Sequence, residues 1–178
     1  EHQGDTPVRW KCYLNDLWEW NENGWLIKES DTDSKPAPRD DTAMAYDGLR
    51  KVSVLFGGEC NVNNENENPL CDDLWEWDGS SWNQVGQDID GEAAGDNFGS
   101  SPSLSDDGNI VAIGATGNDG NGNLSGHVRV YNWNGSSWNQ LGQDIDGEAA
   151  GDQSGNSVSM SDDGSIIAIG AYANGSNN

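Results

Sequence analysis

Short apolar stretches alternate with glycine- and asparagine-rich connections along the second half of the chain. Residues 110–115 are apolar at successive positions, which is typical of a strand covered on both faces. Residues 127–133 alternate instead, with two valines on one face and Arg129 and Tyr131 on the other. We predict a hairpin turn at Asp107-Gly108. The predicted strands are 99–105, 110–115, 127–133 and 138–141.

Paired tryptophans recur along the chain. The pairs are 57 and 56 residues apart and comprise Trp20 with Trp25, Trp77 with Trp82, and Trp133 with Trp138. Residues 82–96 and 138–152 are near-literal copies that differ only where Val85 becomes Leu141. No helical period accompanies this repeat, so each unit is predicted to consist of strands and turns. We expect the indole rings to pack between neighbouring units.

The repeat predicts an all-β fold. Four antiparallel strands in a unit of about 56 residues fit one blade of a β-propeller. Propellers close with about four to eight blades, so we expect the remaining blades in a longer chain. The sequence predicts two full blades and two half blades of one propeller. The predicted segments are a partial blade over 1–30, a full blade over 31–86, a full blade over 87–141 and a partial blade over 142–178.

The first half resembles the kelch repeat over about residues 14–86. The motifs that carry this resemblance are PAPR at 36–39, AMAYD at 43–47, VLFGG at 54–58 and DLWEWD at 73–78, followed by Trp82. The resemblance implies a kelch-like blade over 31–86.

The second half resembles the FG-GAP repeat of integrin-alpha-like propellers over about residues 82–172. The resemblance is carried by Phe98-Gly99, Gly114-Ala115 and the segment SGHVRVY at 125–131. Both resemblances imply a propeller, and neither by itself assigns a function.

The net charge of the chain limits the classes of partner that it can bind. The formal net charge is −23, from 8 Lys and Arg against 31 Asp and Glu. Such a surface repels nucleic acid and anionic lipid, which excludes both as partners. The sequence has no run of 18 apolar residues, so we predict no membrane insertion. Excess carboxylates attract cations, and calcium is the first cofactor to consider.

Two acidic loops are candidate calcium sites. Residues 88–96 carry carboxylates at loop positions 1, 3, 5 and 9, and residues 144–152 repeat this spacing. Alternating carboxylates can direct several hard oxygens to one cation, and the loops resemble the nine-residue calcium loops of integrin-like repeats. The alternative is a solvated acidic connection between blades. The candidate ligands are Asp88, Asp90, Glu92, Asp96, Asp144, Asp146, Glu148 and Asp152.

A third candidate metal segment joins two predicted strands. Asp119, Asn121 and Asn123 follow an Asp-x-Asn-x-Asn pattern that can wrap a cation. Asn and Gly at such spacing equally suit a long connection with left-handed backbone conformations.

Two of the three cysteines can pair in an oxidising compartment. Cys60 and Cys71 flank an asparagine-rich loop and are predicted to form a disulfide, with a pair of free thiols as the alternative. Cys12 is then left unpaired. A disulfide would place the protein outside the cell or at its surface.

These features favour binding over catalysis. The leading hypothesis is a secreted or cell-surface recognition or adhesion module that binds a protein or glycan, with calcium as a stabilising ion. One alternative is part of a secreted propeller enzyme, an oxidase or glycan-active enzyme, whose active site lies outside this stretch. Another is a structural surface repeat without a discrete ligand. The two histidines and the remaining side chains form no recognisable catalytic set, so we predict no catalytic residue.

Overall fold

The computed structural model describes residues 16–28, 34–40, 42–60 and 70–175. Within these ranges the chain is all-β, as predicted, and contains no helix. The strands are β1 Leu17–Asn21, β2 Gly24–Lys28, β3 Arg39–Asp40, β4 Ala43–Asp47, β5 Val52–Phe56, β6 Glu59–Cys60, β7 Leu74–Trp77, β8 Trp82–Gln84, β9 Phe98–Leu104, β10 Ile110–Ala115, β11 His127–Trp133, β12 Trp138–Gln140, β13 Ile145–Asp146, β14 Ser154–Met160 and β15 Ile167–Ala171.

The strands form separate antiparallel sheets that follow the sequence repeat. Sheet 1 is β1-β2, sheet 2 is β4-β5-β7-β8, sheet 3 is β9-β10-β11-β12 with β13 also paired to β11, and sheet 4 is β14-β15. A short ladder joins β3 and β6. The four strands predicted for the third unit are confirmed, with ends that differ by about one residue. This grouping of strands is that of a stretch of β-propeller blades.

The sheets are held together by apolar side chains between neighbouring faces. Strand β10 is buried on both faces, as its sequence predicts. Ile113 belongs to a core cluster that includes Val54 and Phe56 of sheet 2. Ala112 faces the opposite way and belongs to a second cluster, against which Ile169 of sheet 4 packs. Burial of apolar area between stacked sheets is therefore the main stabilising interaction of this region.

The tryptophan pairs differ in burial. Trp77, Trp82 and Trp138 are buried, whereas Trp20 and Trp25 are each 63% exposed. Within the described residues, the first pair is therefore not packed between two units. These two rings contact each other at a centroid distance of 5.4 Å, and no sheet within the described ranges covers them.

Each sheet has a turn end and a loop end. At the turn end, Ser105 N donates to Ile110 O at 2.9 Å and closes the β9–β10 hairpin. Gly108 adopts a φ of +67° there, which confirms the predicted turn. At the loop end lie the connections 86–97, 116–126 and 141–153. Among the described residues there is no helix of the length and apolarity that crossing a bilayer would require.

Candidate functional site

Arg129 lies at the centre of the loop end of sheet 3. Its side chain is largely buried, and its Nε and Nη2 donate to Asp144 Oδ1 and Oδ2 at 3.0 and 2.9 Å. Nη2 also pairs with Glu92. Burial would lower the pKa of Arg129, but hydrogen bonding to Asp144 and nearby carboxylates raises it overall. Conversely, the arginine lowers the pKa of Asp144. One guanidinium thus joins the acidic loops of two consecutive copies.

His127 begins strand β11 beside this ion-pair cluster. Its side chain is 1% exposed, and its Nδ1 lies 3.7 Å from Asp144 Oδ2. Neither ring nitrogen has a hydrogen-bond partner among the described residues. Burial and the charge of Arg129 lower its pKa, while the neighbouring carboxylates act in the opposite direction. The ring is therefore neutral at physiological pH, and each nitrogen lacks compensation for its burial.

Asn118, in the β10–β11 connection, is hydrogen-bonded to the first acidic loop. Its Nδ2 donates to Glu92 Oε2 at 3.1 Å and to Asp96 Oδ2 at 3.0 Å. Its Oδ1 accepts a bond from Gly120 N at 2.8 Å. Both Asn118 and Asp96 are buried, so these hydrogen bonds replace the ones that their polar groups would make with water.

The first acidic loop distributes its four predicted ligands among different partners. Asp88 accepts a bond from Gln84, while Glu92 and Asp96 face Arg129 and Asn118. Asp90 lies beside Asp72. The pKa of Asp72 is raised to about 6, first by burial and then by its hydrogen bond to Asp90 and repulsion from Asp88 and Asp90.

The second acidic loop also separates its predicted ligands. Asp144 binds Arg129 and accepts a bond from Gln140 at 2.6 Å. Asp146 lies on β13, and the buried Asp152 accepts a bond from its own loop at Ala149 N. The Glu148 carbonyl accepts a bond from Asn121.

The segment containing Asp119, Asn121 and Asn123 binds protein groups. Asp119 Oδ1 accepts from Leu124 N at 2.8 Å, and Asn121 Nδ2 donates to Gly147 O at 2.8 Å. The Asn123 carbonyl accepts from Gly151 N at 2.9 Å. These bonds attach the β10–β11 connection to the second acidic loop.

The structure brings together a different set of metal-binding groups. Among the described residues, one ligand atom each of Glu92, His127 and Asp144 lies within 4.8 Å of the other two. Each acidic loop supplies one carboxylate, and strand β11 supplies the imidazole. The sequence patterns did not identify His127 or Arg129. The available signal was a cationic or imidazole side chain on a strand in a chain with only 8 Lys and Arg and 2 His.

Part of this cluster lies in a known repeat. Residues 89–131 match the FG-GAP repeat. The match begins in the first acidic loop and ends on β11, so it contains Glu92, His127 and Arg129. FG-GAP repeats typically occur in extracellular or cell-surface proteins. No curated protein matches the chain.

The unit before the FG-GAP repeat lacks this cluster because different residues occupy the same places. Cys71 and Asp73 precede His127 and Arg129 by one repeat of 56 residues. Cys71 is bonded to Cys60, with their Cα atoms 5.7 Å apart, and Asp73 pairs with Arg39 at 2.6 Å. Cys12 lies outside the described residues.

The turn end carries a second acidic surface. Three consecutive hairpins contribute to one open pocket, which is lined by Asp47, Asp106, Asp107, Asp162 and Asp163 among others. The hairpins of sheets 3 and 4 meet where Asp106 N donates to Asp162 O at 2.8 Å. We refer to these five aspartates as the acidic pocket.

Proposed function

We propose that this chain is part of an extracellular or cell-surface β-propeller that binds a basic segment of a protein ligand at the acidic pocket. The observation that supports this proposal is the convergence of exposed aspartates from sheets 3 and 4 on one open surface, beside the ion pair that the buried Asp47 of sheet 2 forms with Arg50. Sheets 2, 3 and 4 pack through shared apolar clusters, so they present the turns on a rigid scaffold. The net charge of −23 would attract a cationic partner from a distance.

Hydrogen bonds keep two aspartates of the pocket ionised well below neutral pH. Hydrogen bonds from Ser165 and Ser161 lower the pKa of Asp163 to about 2. Hydrogen bonds from the backbone and side chain of Arg50 lower the pKa of Asp47. Asp106 and Asp162 are exposed to solvent. At neutral pH a ligand therefore meets an ionised Asp163, while the ionised Asp47 stays bound to Arg50.

Binding to arrays of secreted and surface proteins, with a glycan array in parallel, tests the proposal. We expect protein ligands whose binding weakens with salt and with a lysine-rich competitor peptide. The double variant Asp106→Asn/Asp162→Asn should weaken binding by about tenfold or more. Asp88→Asn/Glu148→Gln, which removes the same charge at the loop end, should leave binding unchanged. Equal losses in both variants, or ligands found only on the glycan array, would contradict the acidic pocket as a protein-binding surface.

Calcium stabilisation is a separate part of the proposal, and the loop end supports it at one place. Neither acidic loop gathers three of its own carboxylates within 4.8 Å, so the nine-residue pattern alone does not fit the ion. Asp72 is a third acid near Asp88 and Asp90, and burial and these two acids raise its pKa. The three carboxylates are not within 4.8 Å of one another either, so a bound calcium ion would have to draw them together. Calcium bound there should raise the melting temperature, a chelator should reverse the rise, and Asp88→Ala should abolish it. An unchanged melting temperature would refute the calcium site.

We also propose that further blades of a longer chain cover the outer sheets, and that residues 31–86 form a kelch-like blade. Trp20 and Trp25 on sheet 1 and Ile166 beside sheet 4 are each more than half exposed. Trp20 and Trp25 contact each other, and contiguous exposed apolar groups of this kind mark a surface that another layer covers. A version of the protein that includes adjoining sequence should bind less of a fluorescent apolar dye per chain; unchanged dye binding would contradict the proposal.

A further inference from the structure

The Arg129 cluster contains three side chains that the acidic pocket does not use. We propose that Glu92, His127 and Asp144 bind one divalent transition-metal ion of the zinc class. The three residues come from the first acidic loop, strand β11 and the second acidic loop, and their ligand atoms lie within 4.8 Å of one another. A bound ion would therefore fasten both loops to sheet 3.

One of the three distances between ligand atoms is already close to that of a zinc site. His127 Nδ1 lies 3.7 Å from Asp144 Oδ2. Ligand atoms that lie about 2.0–2.1 Å from a tetrahedral ion are about 3.4 Å from each other. The Glu92 side chain is 46% exposed, so its carboxylate can rotate towards the third position. Solvent would supply the fourth ligand.

His127 distinguishes this group from a chance collection of acids. The ring is almost fully buried and both its nitrogens lack hydrogen-bond partners among the described residues. An uncompensated buried polar atom destabilises a fold, and coordination would remove that penalty at Nδ1. Imidazole suits zinc, copper and nickel, whereas calcium and magnesium select oxygen ligands. The buried nitrogen therefore determines the class of metal.

Arg129 would have to share its carboxylates with the ion. Its Nη2 contacts both Glu92 and Asp144, so the guanidinium and the ion compete for these oxygens. Arg129 Nε bonds Asp144 Oδ1 at 3.0 Å, which leaves Oδ2 for the metal once Nη2 withdraws. Asp146 adds a third carboxylate to the field at His127. Three acids thus face one arginine, and a divalent cation would balance the excess charge.

Zinc titration of the chain against a chromogenic chelator tests the site. The background variant is His2→Gln/Cys12→Ser, which leaves His127 as the single imidazole and removes the cysteine outside the Cys60–Cys71 disulfide. We expect one zinc ion per chain, and a shift of the His127 Nδ1 resonance in nitrogen NMR when zinc is added. Failure to bind one ion, or binding without a shift of that resonance, would overturn the proposal.

A matched pair of variants tests whether Glu92 is a ligand of the ion. Glu92→Gln changes a half-exposed side chain and, because Glu92 is a direct ligand, should weaken zinc binding by at least the roughly 10- to 100-fold that loss of an outer-shell partner costs. Glu148→Gln makes the same change one repeat later and should leave binding unchanged; equal weakening by both would overturn the site. Circular dichroism checks that both variants fold. Excess calcium should not displace the zinc, and displacement by calcium would overturn the imidazole ligand without affecting the test of the acidic pocket.

Discussion

Ile113 provides a direct test of the stacking between sheets. It lies on β10, is fully buried, and shares a core cluster with Val54 and Phe56 of sheet 2. Ile113→Ala removes three carbon groups, each worth about 0.8 kcal/mol of transfer free energy. The two sheets hold the vacated space open, so a cavity cost is added. We expect a total loss of about 4 kcal/mol in the free energy of unfolding.

Ile169 is the matched control because it occupies the same place one repeat later. It points towards sheet 3, as Ile113 points towards sheet 2, but it is only partly buried. The described part of sheet 4 has two strands, whereas β11 and β12 flank β10 in sheet 3. Ile169→Ala should therefore cost only about 1–2 kcal/mol.

Urea unfolding, followed by tryptophan fluorescence and by circular dichroism, measures both losses. The slope against urea should stay constant in each variant, so that a shift in midpoint reports stability. Equal losses for the two variants, or a loss below about 1 kcal/mol for Ile113→Ala, would refute the face-to-face packing of sheets 2 and 3.

Three further predictions concern a glycine, an acid and the disulfide. Gly114→Ala directs a methyl group at the backbone of Gly155 and should lower the melting temperature, whereas Gly48→Ala meets open space and should not; equal effects would contradict this contact. The pKa of Asp72 is about 6 when folded, above its usual 3.8, so stability should fall as pH rises from about 4 to 6. Asp72→Asn should abolish that fall in stability and raise the melting temperature at neutral pH but not at about pH 4. A higher melting temperature at both pH values would contradict the raised pKa of Asp72. Removing the disulfide with Cys60→Ala/Cys71→Ala should cost about 3 kcal/mol in chemical denaturation, and alkylation of two additional thiols in the unreduced wild-type chain would show that the bond is not formed.

Much of the fold could be predicted because strand signals are local. The continuous apolar run of β10 and the alternation of β11 require only the nearest residues for their interpretation. The burial of Trp20 could not be predicted in this way. An indole ring is buried only when another sheet lies over it, and the same Trp–Trp pattern occurs on covered and uncovered sheets.

The candidate site was harder to predict because its partners are distant in sequence. Spacing within 88–96 suggests that one loop closes around one cation. In the structure, Glu92 instead forms an ion pair with Arg129, which is 37 residues away, and Asn118 donates a hydrogen bond to Asp96. A pattern of acids along the chain indicates which groups are available to bind a cation. It does not indicate which of these acids are already paired, in the folded protein, with a positive charge or an amide group.

The two acidic loops are nearly identical in sequence but bind different partners at the loop end. Gln84 binds Asp88 as Gln140 binds Asp144, so the copies share this local bond. Only Asp144 also binds Arg129 and approaches His127, because β11 runs beside it. One repeat earlier, Cys71, Asp72 and Asp73 occupy the places of residues 127–129, and the first acidic loop meets the carboxyl group of Asp72 there. Two nearly identical loops thus have different partners because three consecutive residues beside them differ between the repeats.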